Sequence, residues 1–244
     1  MTRKMRNAEG SRMKCAEIFR ETCQKGIDNL NELSELIDFR RRNLIQDAMQ
    51  KSNTSSTNNA FHWYYEGRAK QLSGSYEEAL ECFDKVKQLN PDLVNYFLCY
   101  WRAVCMKGLG MIDEAHKSLD ESIGLRPTSE SFSFKGHMFA ESNQPNKALS
   151  CYDEAIRMEP ENLRLWLNMG EFFYDQKKYH KSLGCLDEMI RIKPNSLTAW
   201  IRKGMILYEL EQYGKSLKCF EQAMGLQKMT PKSNSSINGL ENWY

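Results

Sequence analysis

A period of about 34 residues constrains this chain more than any other feature it carries. Four prolines, Pro91, Pro127, Pro160 and Pro194, follow one another at intervals of 36, 33 and 34 residues. Five small residues, Ala79, Ala115, Ala148, Ser182 and Ser216, keep the same beat at 36, 33, 34 and 34. Bulky anchors stand at Trp63, Phe132, Trp166 and Trp200, with Cys99 in that place in the second unit. Four residues after each comes Gly67, Ala103, Gly136, Gly170 or Gly204. Residues 163–194 show one unit in full, two stretches with apolar residues at helical spacing, a short polar break and a closing proline. Neither stretch can bury its apolar face alone, so each unit must pack on its neighbours.

The residue types fit that arrangement. Glycine or alanine in a first helix, opposite alanine or serine in a second, lets two antiparallel helices approach closely; a larger side chain would force them apart. The bulky residue one turn earlier fills the space between successive helices. Proline cannot continue a helix, so it sets where each second helix stops. The breaks Ser73-Gly74-Ser75, Gly108-Leu109-Gly110 and Ser142-Asn143-Gln144 are short and polar or glycine-rich, as helix–helix turns require. An all-α chain of five helix–turn–helix units is predicted over 60–95, 96–128, 129–162, 163–196 and 197–228.

Ahead of the repeats, residues 1–50 read as an N-terminal helical segment, with Cys23, Ile27, Leu30, Leu33, Ile37 and Leu44 along one stripe. Arg40-Arg41-Arg42 is read as a solvated end of that helical stretch. KSNTSSTNN, 51–59, is a polar linker, and 229–244 a flexible tail. The formal charge of +2 points to neither nucleic acid nor a membrane surface. No apolar run reaches the roughly 20 residues that span a bilayer. The basic N-terminus lacks a following apolar stretch, so no secretory signal is expected and a cytoplasmic location is. Of eight cysteines, Cys82, Cys151, Cys185 and Cys219 share one place in the repeat, and none forms a C-x-x-C. They are read as packing residues rather than a disulfide or zinc framework.

The repeated residues resemble the tetratricopeptide repeat, a 34-residue helix–turn–helix unit. The resemblance covers about residues 60–228, strongest in ALSCYDEAIRMEP (148–160) and SLGCLDEMIRIKP (182–194). Departures are Glu66 and Lys70 in the first unit, Ala103 in the second and Lys228 in place of the last proline. The resemblance implies a right-handed α-solenoid whose first helices line a concave groove. It also implies that stability is summed over units and their interfaces.

The groove so implied is the expected partner-binding site. Counting from each anchor, its lining is Phe61, Tyr64 and Arg68 in the first unit and Phe97 and Tyr100, with Val104, in the second. The third contributes His137, with Glu130 and Ser133. The fourth contributes Arg164, Leu167, Glu171 and Tyr174, and the fifth Ile201, Met205 and Tyr208, with Thr198. Of the four tyrosines, Tyr64, Tyr100, Tyr174 and Tyr208, groove exposure is expected, whereas Phe61 and Phe97 are divided evenly between groove and packing. Some relatives clamp a chaperone tail's carboxylate with Lys, Asn and Arg from three first helices. Here Asn168 and Arg202 hold two such places, and Ser133, His137 and Thr198 leave the clamp incomplete.

No G-x-S-x-G, P-loop or H-E-x-x-H motif occurs. Gly108-Leu109-Gly110 begins a G-x-G-x-x-G that fails at Asp113. The four histidines fall at four different places in the repeat. The expected function is therefore a non-catalytic scaffold for a protein or peptide partner, with no cofactor, metal, nucleic acid or membrane. The alternatives are an assembly or regulatory subunit that self-associates weakly through an uncapped C-terminal end, and a co-chaperone-like adaptor.

Overall fold

A computed structural model describes residues 13, 17, 18, 43–51, 59–91 and 95–229, with side chains to 226. The expectations for most of residues 1–42, including the triple arginine, Cys15 and Cys23, and for the tail from 230 lie outside them.

Among the described residues, 43–51 are helical and ten longer helices follow. They are α1 (Ala60–Ser73), α2 (Tyr76–Leu89), α3 (Tyr96–Gly108), α4 (Ile112–Leu125) and α5 (Ser129–Glu141). Next come α6 (Pro145–Met158), α7 (Leu163–Asp175), α8 (Tyr179–Ile192), α9 (Leu197–Glu209) and α10 (Tyr213–Met229). Each odd-numbered helix packs chiefly on the helix after it, which gives five pairs among the described residues. The pairs fall into two compact units, α1–α6 ending at Met158 and α7–α10 beginning at Glu159.

Local chemistry sets where each first helix starts. Asn59, Asn95, Thr128, Asn162 and Ser196 each accept a hydrogen bond from a backbone N–H of the first turn. A side-chain oxygen there satisfies a donor that the helix itself leaves unpaired. The second helices α2, α4 and α8 have no such cap. They are set by the turn before them, where one residue per pair adopts left-handed backbone: Gly74, Gly110, Asn143, Lys177 and Glu211. Glycine and asparagine accept that conformation readily, and the last two positions hold it without that advantage.

The small residues do what their pattern implies. Ala79, Ala115, Ala148 and Ser216 are 0% exposed, and Ser182 is 1% exposed. Where the anchor is serine it adds a bond across the pair: Ser182 Oγ donates to Gly170 O and Ser216 Oγ to Gly204 O, each at 2.7 Å. The closeness of approach differs between pairs. A Cβ on Gly67 or Gly204 would lie 2.7 Å from the buried ring of Phe83 or Phe220, whereas on Gly170 it would meet nothing nearer than 3.3 Å.

Within each unit, successive pairs are joined by apolar contact and by ion pairs, and the tryptophans add a bond to the turn before them. Apolar clusters span the pairs, as where Leu167, Leu186 and Met189 meet Ala199 and Ile206. A basic residue of a first helix reaches an aspartate of the preceding second helix in Arg102–Asp84, at 3.1 Å, and again in Lys135–Asp120 and Lys203–Asp187. The tryptophans also bind backward, Trp166 Nε1–H donating to Pro160 O and Trp200 Nε1–H to Pro194 O, both at 2.8 Å. The anchor therefore ties a first helix to the proline turn before it as well as filling space.

Described cysteines are all free thiols. Cys82, Cys99, Cys105, Cys185 and Cys219 are buried and Cys151 half-buried. Burial pushes the Cys99 thiol up to about 11 and that of Cys105 to about 12, which keeps both protonated and inert.

Gly204→Ala is expected to lower the free energy of unfolding by about 1–3 kcal/mol, because its Cβ would press on the buried Phe220 ring. Gly184→Ala, on the exposed face of α8 with nothing within 4 Å, should raise it by up to about 1 kcal/mol through helix propensity. Urea denaturation followed by circular dichroism separates the two, and equal effects would refute close approach as the reason for glycine at 204.

Candidate functional site: the face of the first helices

In the unit formed by α1–α6, the two phenylalanines are the open aromatics. Phe61 is 48% exposed and Phe97 47%, at the same place in successive first helices. The tyrosines expected to project further are drawn inward. Tyr64 packs against the cluster of Phe83, Val86 and Leu98, its ring 6.4 Å from that of Phe83. Tyr100 lies edge-on to Trp101 at 4.8 Å and to Phe134 at 5.6 Å. The order of exposure is thus the reverse of the expectation. A residue one place after the anchor faces the next pair, and one two places before it faces outward. Ser133, at the same place as Tyr64, is buried as well, at 3% exposed.

Arg68 lies flat on the indole of Trp101, its guanidinium carbon 3.3 Å from the ring centroid. Its Nη1 also donates to Gln71 Oε1. Burial lowers the Arg68 pKa from its ordinary value, and burial likewise raises that of the Tyr64 hydroxyl. One pair further on, Glu141 draws in Lys107 and His137 together. Lys107 Nζ and His137 Nε2 each lie 3.1 Å from one of its carboxylate oxygens. His137 therefore faces the same surface, held one turn from its partner on its own helix. Among the described residues no group of three or more His, Cys, Asp or Glu is placed to hold a metal.

In the unit formed by α7–α10, Leu167 departs from the expected lining. It is 2% exposed and packs with Leu186, Met189 and Ile206, so it belongs to the interior between the two pairs. Glu171 and Arg202 are brought together across α7 and α9, 2.7 Å apart. Tyr174 donates its hydroxyl to Glu209, and that bond is the main reason its pKa is pushed up to about 12. Met205 is 39% exposed. Ile201, Tyr208, Arg164 and Asn168 are half-buried. The ring of Tyr208 rests 5.2 Å from that of Tyr213.

Trp101, Phe134, Lys107, Glu141 and Glu209 stand in contact with candidate residues and were not among those expected. The signal for the first two was present in the repeat. They occupy the place two after the anchor, the place that holds Asn168 and Arg202 in the later units. That place is thus aromatic in the second and third units and polar in the fourth and fifth.

Family descriptions of the tetratricopeptide repeat match residues 63–93, 129–162 and 197–228. The chain is a tetratricopeptide repeat protein. Its fold is the α-solenoid of helix–turn–helix repeats, a scaffold for protein–protein interaction. The chain is similar to BBSome complex member BBS4 of Bos taurus, 25% identical over 103 residues. That match covers 42% of this chain and 20% of the bovine protein, so it spans about a fifth of the relative's length. Among solved structures, MamA from Desulfovibrio magneticus RS-1 superposes with a TM-score of 0.59 at 16% identity, over 72% of this chain and 99% of that one. YrrB, described as a tetratricopeptide repeat protein with an unusual peptide-binding site, gives 0.52 at 16% identity, over 76% and 93%. At such identities the likeness is one of fold. No helix among the described residues is long and apolar enough to cross a membrane.

The Glu171–Arg202 pair is open to solvent, with side chains 43% and 45% exposed, and so contributes little to folding. A double-mutant cycle of Glu171→Gln and Arg202→Gln in urea should give a coupling energy of about 0.2–1 kcal/mol. A larger value would make the pair part of the fold rather than an available polar surface.

Proposed function

We propose that this protein is a non-catalytic scaffold that holds a segment of a partner protein against the first helices of its repeats. The observation that carries the reading is the pair Phe61 and Phe97, 48% and 47% exposed at equivalent places on α1 and α3. Large aromatic side chains left open on a rigid helix face lose little entropy on binding and bury much area. Tyr64 and Tyr100 lie further in, their rings 6.4 Å from Phe83 and 5.6 Å from Phe134. The helices supply a preformed surface, so a partner need order only itself. The peptide-binding site in YrrB's description and the complex membership of BBS4 are capacities of the same kind, which the proposal extends to this chain. The six described cysteines, all free thiols, fit a reducing, cytoplasmic setting.

The test uses the exposed aromatics, since Tyr64→Ala or Tyr100→Ala would also damage packing. Phe61→Ala combined with Phe97→Ala should remove the partners that the wild-type protein retains in affinity capture with mass spectrometry, with unchanged circular dichroism. Leu125→Ala, at a residue 54% exposed on α4, is the matched control and should leave capture intact. If the phenylalanine variant captures the same partners, binding belongs to another face and the proposal fails.

A further inference from the structure

His116 lies on α4 at the junction with the following helix pair. Its ring stacks on that of Phe139 of α5, with centroids 4.6 Å apart and planes inclined by 27°. One ring nitrogen, Nδ1, is buried and has no hydrogen-bond partner among the described residues. A neutral imidazole can accept this place, because its unprotonated nitrogen is an acceptor that forgoes a single bond. The imidazolium cannot do so cheaply. Both its nitrogens are donors, so protonation buries an N–H with nothing to bond.

The charged groups that bear on the ring are Lys135 of α5, Lys147 of α6, and Asp113 and Asp120 of its own helix. Asp120 is already paired with Lys135. An aromatic face attracts a cation, but Lys135 Nζ and Lys147 Nζ stand 5.8 and 5.3 Å from the Phe139 centroid and already use that ring. Asp113, exposed about one turn earlier on α4, is the carboxylate left to set against an added charge. Burial and the charge of Lys135 accordingly hold the His116 pKa below its ordinary value. His137 on α5 is the contrast: open to solvent and 3.1 Å from Glu141, it gains a partner on protonation.

We propose that His116 is an acid-sensitive catch between α4 and α5: neutral, it closes their junction by stacking on Phe139, and protonated, it leaves that stack and loosens α5–α6 from α4. The unfolded chain takes the proton at the ordinary 6.5 and the folded chain only at lower pH. The catch therefore holds fully above pH 6.5 and weakens as pH falls below it. The same junction carries the Tyr100–Phe134 contact of the first-helix face, 5.6 Å between ring centroids, so its loosening disturbs that surface whatever binds there.

Hydrogen–deuterium exchange of the full chain at pH 7.5 and pH 5.5, corrected for the intrinsic effect of pH on exchange, tests this. The opening equilibrium of protected amides in α4 and α5 should rise about threefold or more at pH 5.5, while that of α7–α10 changes by less than about twofold. His116→Phe keeps a ring against Phe139 without a titrating group and should abolish the difference. His116→Gln is the second variant, and circular dichroism verifies the fold of both. In the wild-type protein the Cε1–H resonance of His116 should titrate below 6.5. Equal opening of α4 and α5 at the two pH values overturns the proposal, as does an acid response that persists in either folded His116 variant. An equal response in α7–α10, or a His116 titration at or above 6.5, overturns it too. None of these measurements involves a partner, so the capture with Phe61→Ala and Phe97→Ala decides the scaffold reading by itself.

Discussion

The close approach of two helices at a residue that has no side chain, or almost none, is the contact on which the rest of this structure depends. At Gly67 and Gly204 the opposing ring of Phe83 or Phe220 occupies the space a Cβ would need. That approach brings the apolar stripes of a pair together over their length. It also fixes which residues of the first helix are left to face outward. Every candidate binding residue is defined by its distance along the helix from this contact, so the surface for partners follows from the packing beneath it.

Interfaces between pairs rest mainly on apolar burial, with charge in a supporting role. The aspartate–cation links repeat along the chain, but their aspartates are more than half exposed, and such pairs contribute little each. Their regularity matters more for register than for stability, because a shift of one helix along another would break them together. The tryptophan bonds to Pro160 and Pro194 act in the same sense, tying the orientation of a first helix to the turn that precedes it.

The helix pairs, their turns, the buried anchors and the packing role of the cysteines were legible in the sequence, because each depends on contacts whose spacing the repeat displays. The face of the first helices was legible only in outline. Leu167 shows why: its place in the helix marked it as lining, yet its apolar character and the neighbouring Ala199 and Ile206 draw it inside. Tyr64 and Phe61 exchanged their expected roles for a related reason. How far a ring projects depends on what the next pair offers it, and periodicity does not encode that. Arg68 on Trp101 was invisible because the partners lie on different helices and in different columns of the repeat. The N-terminal caps are less conspicuous in the sequence than the prolines, which end helices but do not begin them.

Those caps have a consequence for how such a chain can change its length. From each of Asn59, Asn95, Thr128, Asn162 and Ser196 the small first-helix residue lies 8 positions on and the second-helix anchor 20. From the anchor to the stop proline is 12 positions in each of the four units that have one. Only the step from proline to the following cap varies, at 4, 1, 2 and 2 residues. All the irregularity in the spacing is thus confined to one seam outside the helix pair. Residues can be gained or lost there without changing which side chains meet inside a pair, while an insertion anywhere else would put glycine opposite the wrong neighbour. The chain behaves as a row of fixed cassettes joined by adjustable spacers.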